Sequence, residues 1–279
     1  MVVGFYPKTL MEALYLRRND PDTLLIAGGT DAMVVKKTAS KTIFINQIPE
    51  LQEVSITTET LSIGACAVYS DLLSNPLVPD VLKQAIRKIA SPAIRNAGTI
   101  GGNLCNASPA GDTLPVLYAL SAQIVIASLS NEDEMITKRL PITEFIQSVR
   151  KIALAPNEMV IALELPVGAY EGMTKIVYEK VGARQADAIS KLSFVGLMKV
   201  NDDIIKEIRI AFGSVAITTV RREEIEHNLC NISLSQLQAM KPEILRSYAE
   251  YIHPIDDQRS TAVYRKKVCL NLVEDFLTV

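Results

Sequence analysis

The sequence predicts an α+β protein built in two parts, and three observations point that way. Its 279 residues are 48% hydrophobic, enough for two cores by the usual size of a domain. In the first half, short β-branched runs alternate with helical stretches, and two of the turns are adjacent glycines. From about Gly168 the glycine pairs stop, and three long strand-like runs are followed by helices. That order is expected of a separate α+β domain.

Along the first part, Thr23 to Ala27 reads as a buried strand ended by Gly28-Gly29, and Asp31 to Lys37 opens a short helix. Thr42 to Asn46 is apolar and β-branched, which predicts a strand. Val54 to Ile56 and Leu61 to Ala65 predict a hairpin about Thr58-Glu59-Thr60. Pro79-Asp80 starts a helix that places Val81, Leu82, Ala85, Ile86 and Ile89 on one face. Ser91 to Pro115 is rich in Gly, Asn, Ser and Pro and reads as one long irregular segment, which is commonly functional. A helix over Thr113 to Leu120 follows it.

In the second part, Lys175 to Val181, Leu192 to Val200 and Ile204 to Phe212 read as strands. The last two meet at Asn201-Asp202-Asp203, so antiparallel pairing follows. Helices are predicted over Arg221 to Asn228, Leu234 to Met240, Pro242 to Ile252 and Thr261 to Leu277. The boundary between the parts falls near Pro166 to Gly172, giving domains of 1–168 and 169–279.

Composition removes several functions. Net charge is −2, and Lys and Arg are spread along the chain without the basic stripe that nucleic acid binding needs. Met1 to Leu10 lacks the charged and apolar regions of a signal peptide. The most apolar stretch, Val116 to Leu129, is interrupted by Ser121, Gln123 and Ser128 and is too short to cross a bilayer. The four cysteines, Cys66, Cys105, Cys230 and Cys269, form no C-x-x-C pair. They read as reduced thiols of a cytoplasmic protein, with no metal ligands and no catalytic residue evident in the chain.

Chemistry concentrates in two loops. Ala27-Gly28-Gly29-Thr30-Asp31 follows a strand. Its paired glycines let backbone N–H groups turn toward one point, which suits a phosphate. Gly98-Thr99-Ile100-Gly101-Gly102-Asn103 repeats those ingredients. Neither loop fits G-x-G-x-x-G or G-x-x-x-x-G-K-[ST], which argues against a Rossmann site and a P-loop. A glycine pair after a strand is also a common plain turn. Two in one domain favour a diphosphate ligand held from both sides.

Four long segments carry a resemblance: LLIAGGTDAMV at 24–34, SPAIRNAGTIGGNLCNASPAGDTLPVLYAL at 91–120, YEKVGARQADAIS at 178–190 and PIDDQRSTAVYRKKV at 254–268. Together they resemble the FAD subunits of molybdenum hydroxylases, the group that includes xanthine, carbon monoxide and nicotinate dehydrogenases. The resemblance implies a two-part FAD-binding domain of the vanillyl-alcohol-oxidase type, split near 57, followed by a smaller α+β domain with an antiparallel sheet. It implies that Ala27, Gly28, Gly29, Thr30, Asp31, Thr99, Gly101, Gly102 and Asn103 bind the diphosphate and sugars of FAD. Asn106, Ser108 and Asp112 would continue the cofactor contacts, although Asp112 also fits an N-cap of the helix that follows. Val160 and Lys180 match positions beside the isoalloxazine ring, whereas Lys180 by itself reads as a solvated strand-edge charge. Ile89 stands where eukaryotic xanthine dehydrogenases place a phenylalanine against the flavin. Arg184 and Asp187 match the NAD side of the flavin, and Tyr264, Arg265 and Lys266 read as structural or subunit contacts.

The resemblance implies electron transfer within a complex, a heterotrimer of unlike subunits. A molybdopterin subunit would hydroxylate the substrate, and an iron–sulfur subunit would pass electrons through [2Fe–2S] clusters to FAD and on to NAD+. A xanthine (purine) dehydrogenase is the first reading of the complex. Nicotinate, carbon monoxide or another small substrate is the second, and a non-catalytic assembly homologue the third.

Overall fold

The structure is a computed structural model and describes residues 3–35, 39–185 and 187–278. It forms two compact units. The first comprises residues 3–78, 91–107 and 121–167, and the second 79–90, 108–120 and 168–278.

The first unit holds two sheets. Strands Val3–Phe5, Lys41–Phe44 and Leu24–Ile26 lie parallel in that order. Helix Leu10–Asn19, capped by the Thr9 hydroxyl, buries Ala13 and Leu14 against Ile43, Ile48 and Leu51. The second sheet is antiparallel, in the order Val54–Ile56, Thr60–Gly64, Met159–Pro166, Gln123–Leu129 and Met135–Pro141. Its Ala127, Leu129 and Met159 complete the same core.

The last three of those strands are absent from the sequence reading, for different reasons. Gln123–Leu129 is buried along most of its length, so it shows an apolar run rather than alternation. Met135–Pro141 is mostly exposed and extended only because it pairs with its neighbour. Ser91 to Pro115 is also less irregular than expected. It contains helices Pro92–Arg95 and Ile100–Asn106, each started by a hydroxyl cap, Ser91 and Thr99. Helix Thr30–Val34 matches the first part of the predicted 31–37 helix, and Lys36 and Lys37 lie outside the described residues.

The second unit is built on an antiparallel sheet of Lys175–Val181, Leu192–Asn201, Ile204–Gly213 and Val220–Arg221. The predicted turn is present, with left-handed Asp202 and Asp203. Phe194, Phe212, Tyr248 and Phe276 form its aromatic core. Gly196 is required there, because a Cβ would come within 2.6 Å of the Phe276 ring. Helices Glu223–Asn228, Leu234–Ala249 and Ala262–Leu277 cover the sheet. The two helices expected on either side of Lys241 are one, with Pro242 inside it. A Ser233–Gln236 capping box starts it. Buried Leu237, Ile244 and Tyr248 hold it together across the proline.

Segment 108–120 is tied into this unit by its helix, Leu114–Ala119. Arg221 donates to the Tyr118 carbonyl at 2.9 Å and Arg209 to that of Ala119 at 2.9 Å. Both fill acceptors that a helix end leaves open. Arg221 in turn is paired with buried Glu226 at 2.8 Å.

The YRKKV motif of the last helix is structural in the same sense. Buried Arg265 donates to Asp257 at 2.6 Å. Burial opposes ionisation of Asp257, but the Arg259 N–H and the Arg265 guanidinium outweigh it and hold its carboxyl down at about 2. A depressed carboxyl stabilises the fold above its unfolded value and loses that contribution as pH falls through the folded one. Urea unfolding midpoints should therefore fall between pH 4 and 2 more steeply in the parent than in Asp257→Asn. Parallel slopes would contradict this assignment.

Candidate functional site

The first unit brings the two glycine loops together. Gly28 lies so close to the second loop that a Cβ on it would be 1.8 Å from the Ala97 carbonyl oxygen and 3.1 Å from the Gly98 Cα. Gly29 is left-handed, with φ of 71°, a conformation that favours glycine. Ala27 to Thr30 are half-buried and Asp31 is exposed. Among the described residues, no acceptor takes the N–H groups of Gly28, Gly29, Thr30, Asp31 or Ala32. Unpaired amides around a left-handed glycine make an anion-binding concavity.

The second loop differs. Gly98 donates to Ile94 at 2.7 Å, Ile100 to Ala67 at 3.2 Å and Gly101 to Ala65 at 3.0 Å. Gly102 donates to the Thr99 hydroxyl at 3.0 Å and Asn103 to the Thr99 carbonyl at 3.1 Å. Gly101 is buried, and a Cβ there would lie 2.5 Å from the Ala65 oxygen. Thr99 is buried and spends its hydroxyl as the helix cap. Thr99→Val should destabilise the first unit by about 1 kcal/mol, the usual value of such a cap, and Thr99→Ser should not. Equal unfolding midpoints for both would contradict the cap. Asn103 and Asn106 sit half-buried on the helix, and Val160 is buried in strand Met159–Pro166 beside a register shift.

The second unit holds Ser108, Asp112 and Lys180. The Ser108 hydroxyl accepts from the Ala110 N–H at 3.3 Å. Asp112 is not the N-cap of helix Leu114–Ala119; the cap position is Thr113, whose side chain makes no capping bond. The Asp112 carboxylate instead takes the Lys180 ammonium at 2.6 Å and the Ser190 hydroxyl. Lys180 also donates to the Lys88 carbonyl at 2.8 Å, and the Tyr178 hydroxyl to the Asp112 carbonyl at 3.2 Å. Burial raises the Asp112 carboxyl above the ordinary carboxylate value, with Lys180 and Ser190 pulling the other way. Lys180 is thus a buried ion-pair partner and not a solvated edge charge, its side chain only 5% exposed. Sequence reasoning missed Ser190 and Tyr178, because nothing in the primary pattern marks a serine ten residues beyond a lysine as its partner's anchor. Arg184 and Asp187 are exposed and pair with each other.

The family described as the FAD binding domain in molybdopterin dehydrogenase matches residues 3–168. The carbon monoxide dehydrogenase flavoprotein C-terminal domain matches 177–279.

The chain belongs to the FAD-binding subunits of the molybdenum hydroxylase family.

This flavin subunit is 30% identical to the glyceraldehyde dehydrogenase medium chain of Sulfolobus acidocaldarius, over 94% of its own length and 92% of that chain. It is 26% identical to the xanthine dehydrogenase FAD-binding subunit of Escherichia coli O157:H7, over 86% and 84%. A solved structure, carbon monoxide dehydrogenase from Hydrogenophaga pseudoflava lacking the Mo-pyranopterin moiety, has a TM-score of 0.88 and 26% identity. That likeness covers 98% of this chain and 95% of the other. The cofactor of the family is FAD, and the unpaired amides of 28–32 fit its diphosphate.

Proposed function

We propose that this flavin subunit relays electrons within a molybdenum hydroxylase complex. It would receive them from [2Fe–2S] clusters of an iron–sulfur subunit, fed by a molybdopterin subunit, and deliver them to NAD+. The observation that supports this reading is the loop at 27–32, whose free amides suit a diphosphate. FAD supplies the ability to accept electrons singly and release a pair as hydride. The chain's own residues bind and orient. Gly28 to Asp31 donate to the diphosphate from a loop fixed by Ala97. Ala27, Thr99, Gly101, Gly102, Asn103, Asn106 and Val160 belong to the cofactor site on the family resemblance, as do Ser108, Asp112 and Lys180. Lys180 uses two of an ammonium's three donors on Asp112 and Lys88, leaving one for a cofactor acceptor.

The FAD-binding part is taken as 1–168, divided near 57, and the C-terminal part as 169–279. The complex is proposed first as a cytoplasmic heterotrimer of the xanthine (purine) dehydrogenase type, on the sequence resemblance. Relatives named for glyceraldehyde, caffeine and nicotinate match this chain at 27–30% identity, and the choice of substrate is assigned to the partner chain. Purification of the intact complex, with its chains identified and each candidate substrate added anaerobically, tests the assignment. Bleaching of the flavin by a purine supports it, and bleaching by another substrate alone replaces the purine. Addition of NADH should also bleach the flavin, and failure to do so would remove NAD+ as acceptor.

A further inference from the structure

Side chains alternate along a strand, and residues directly opposite on antiparallel strands share a face of the sheet. In the second unit, the register puts Lys180 in one row with Gly213, and Tyr178 in the next row with Arg221. Arg209, four residues before Gly213 on the same strand, is on that face too. Phe194 and Phe212 belong to the opposite face and its aromatic core.

Segment 108–120 is held by the first of these faces at several points. The Pro109 carbonyl accepts from the Ser214 N–H at 2.9 Å and from the Ser214 hydroxyl at 3.3 Å. Pro115 packs so near Gly213 that a Cβ there would meet its Cγ at 2.8 Å. At the other end, Arg221 and Arg209 donate to the Tyr118 and Ala119 carbonyls, each at 2.9 Å. Glu226 orients Arg221 by taking Nε at 3.1 Å and Nη2 at 2.8 Å, while Nη1 reaches Tyr118. Between these holds, Asp112 receives Lys180 on its carboxylate and Tyr178 on its carbonyl. Helix Leu114–Ala119 has six residues, too few for a helix to be stable by itself. Its place is therefore decided by these contacts.

Resting on the FAD reading above, we infer that Arg209 and Arg221 are positioning residues for the cofactor site and act through Asp112. They fix the helix end against the same sheet face whose edge strand carries Lys180 and Tyr178. The helix transmits that register to Asp112, two residues before it begins. An arginine suits Arg221's place because its planar fork binds a carboxylate and a carbonyl at once, which a compact ammonium does not reproduce.

FAD titration of the intact chain, arranged as a double-mutant cycle, tests the inference. Arg209→Met should raise the FAD Kd about two- to tenfold, the value of one hydrogen bond. Arg209→Lys, which keeps a donor for Ala119, should restore most of the affinity, whereas Arg221→Lys, which loses the fork, should not. In an Asp112→Asn background, Arg209→Met should add nothing further, because the carboxylate it places is gone. Ser190→Ala, a milder background that loosens the same carboxylate, should show the same shortfall from additivity. Additive losses in both backgrounds, or lower urea stability with a parental Kd, would overturn the positioning role and leave the FAD reading intact. A parent chain that binds no FAD would overturn both.

Discussion

Replacing Gly28 by alanine is expected to lower FAD affinity ten- to a hundredfold while leaving the second unit folded. The reason is a backbone clash: the added Cβ would sit 1.8 Å from the Ala97 oxygen. The clash is with the backbone of Ala97 and Gly98, so relieving it shifts the loop that carries the free amides of 28–32. Forcing atoms into a packed position costs about 1–3 kcal/mol, which sets the range of affinity loss. Fluorescence titration with FAD measures it directly. The far end of the chain reports on folding, since the aromatic core of Phe194, Phe212 and Phe276 lies wholly in the other unit. An alanine variant with parental affinity would mean that the diphosphate does not depend on this loop.

The second large effect is expected at Lys180. Lys180→Met would leave the Asp112 carboxylate buried with Ser190 as its remaining side-chain partner. Removing one member of a buried pair costs about 3–5 kcal/mol, because the other is left uncompensated. The double variant Lys180→Met with Asp112→Leu should recover most of that loss, since the desolvation of both charges disappears. Urea unfolding of the three proteins measures this. If the single and double variants are equally destabilised, the pair is not the source of the cost. Ser190→Ala should fall between the parent and the single variant.

Much of this fold is legible in the chain, and what is not has identifiable causes. The 54–65 hairpin, the helix after Pro79 and the 192–213 hairpin follow from turn chemistry and period, and all are present. Strand Met135–Pro141 was illegible because its side chains are exposed and its extension comes from pairing alone. Helix Ile100–Asn106 was hidden by two glycines that are poor helix formers, and is held by the Thr99 cap and by Ala65. Pro242 suggested a break that Tyr248 and Ile244 prevent by burial. At the site, the glycine pairs announced a close approach, but only the structure distinguishes approach to a ligand from approach to Ala65 or Ala97. Asp112 was visible as a polar residue before a helix, yet its partner lies 68 positions away at Lys180.

The cofactor content of the purified chain tests the central claim most directly. Heat-released flavin, quantified against protein, should be FAD in stoichiometric amount, either as isolated or after reconstitution. A colourless chain that takes up no FAD under either condition would contradict the account.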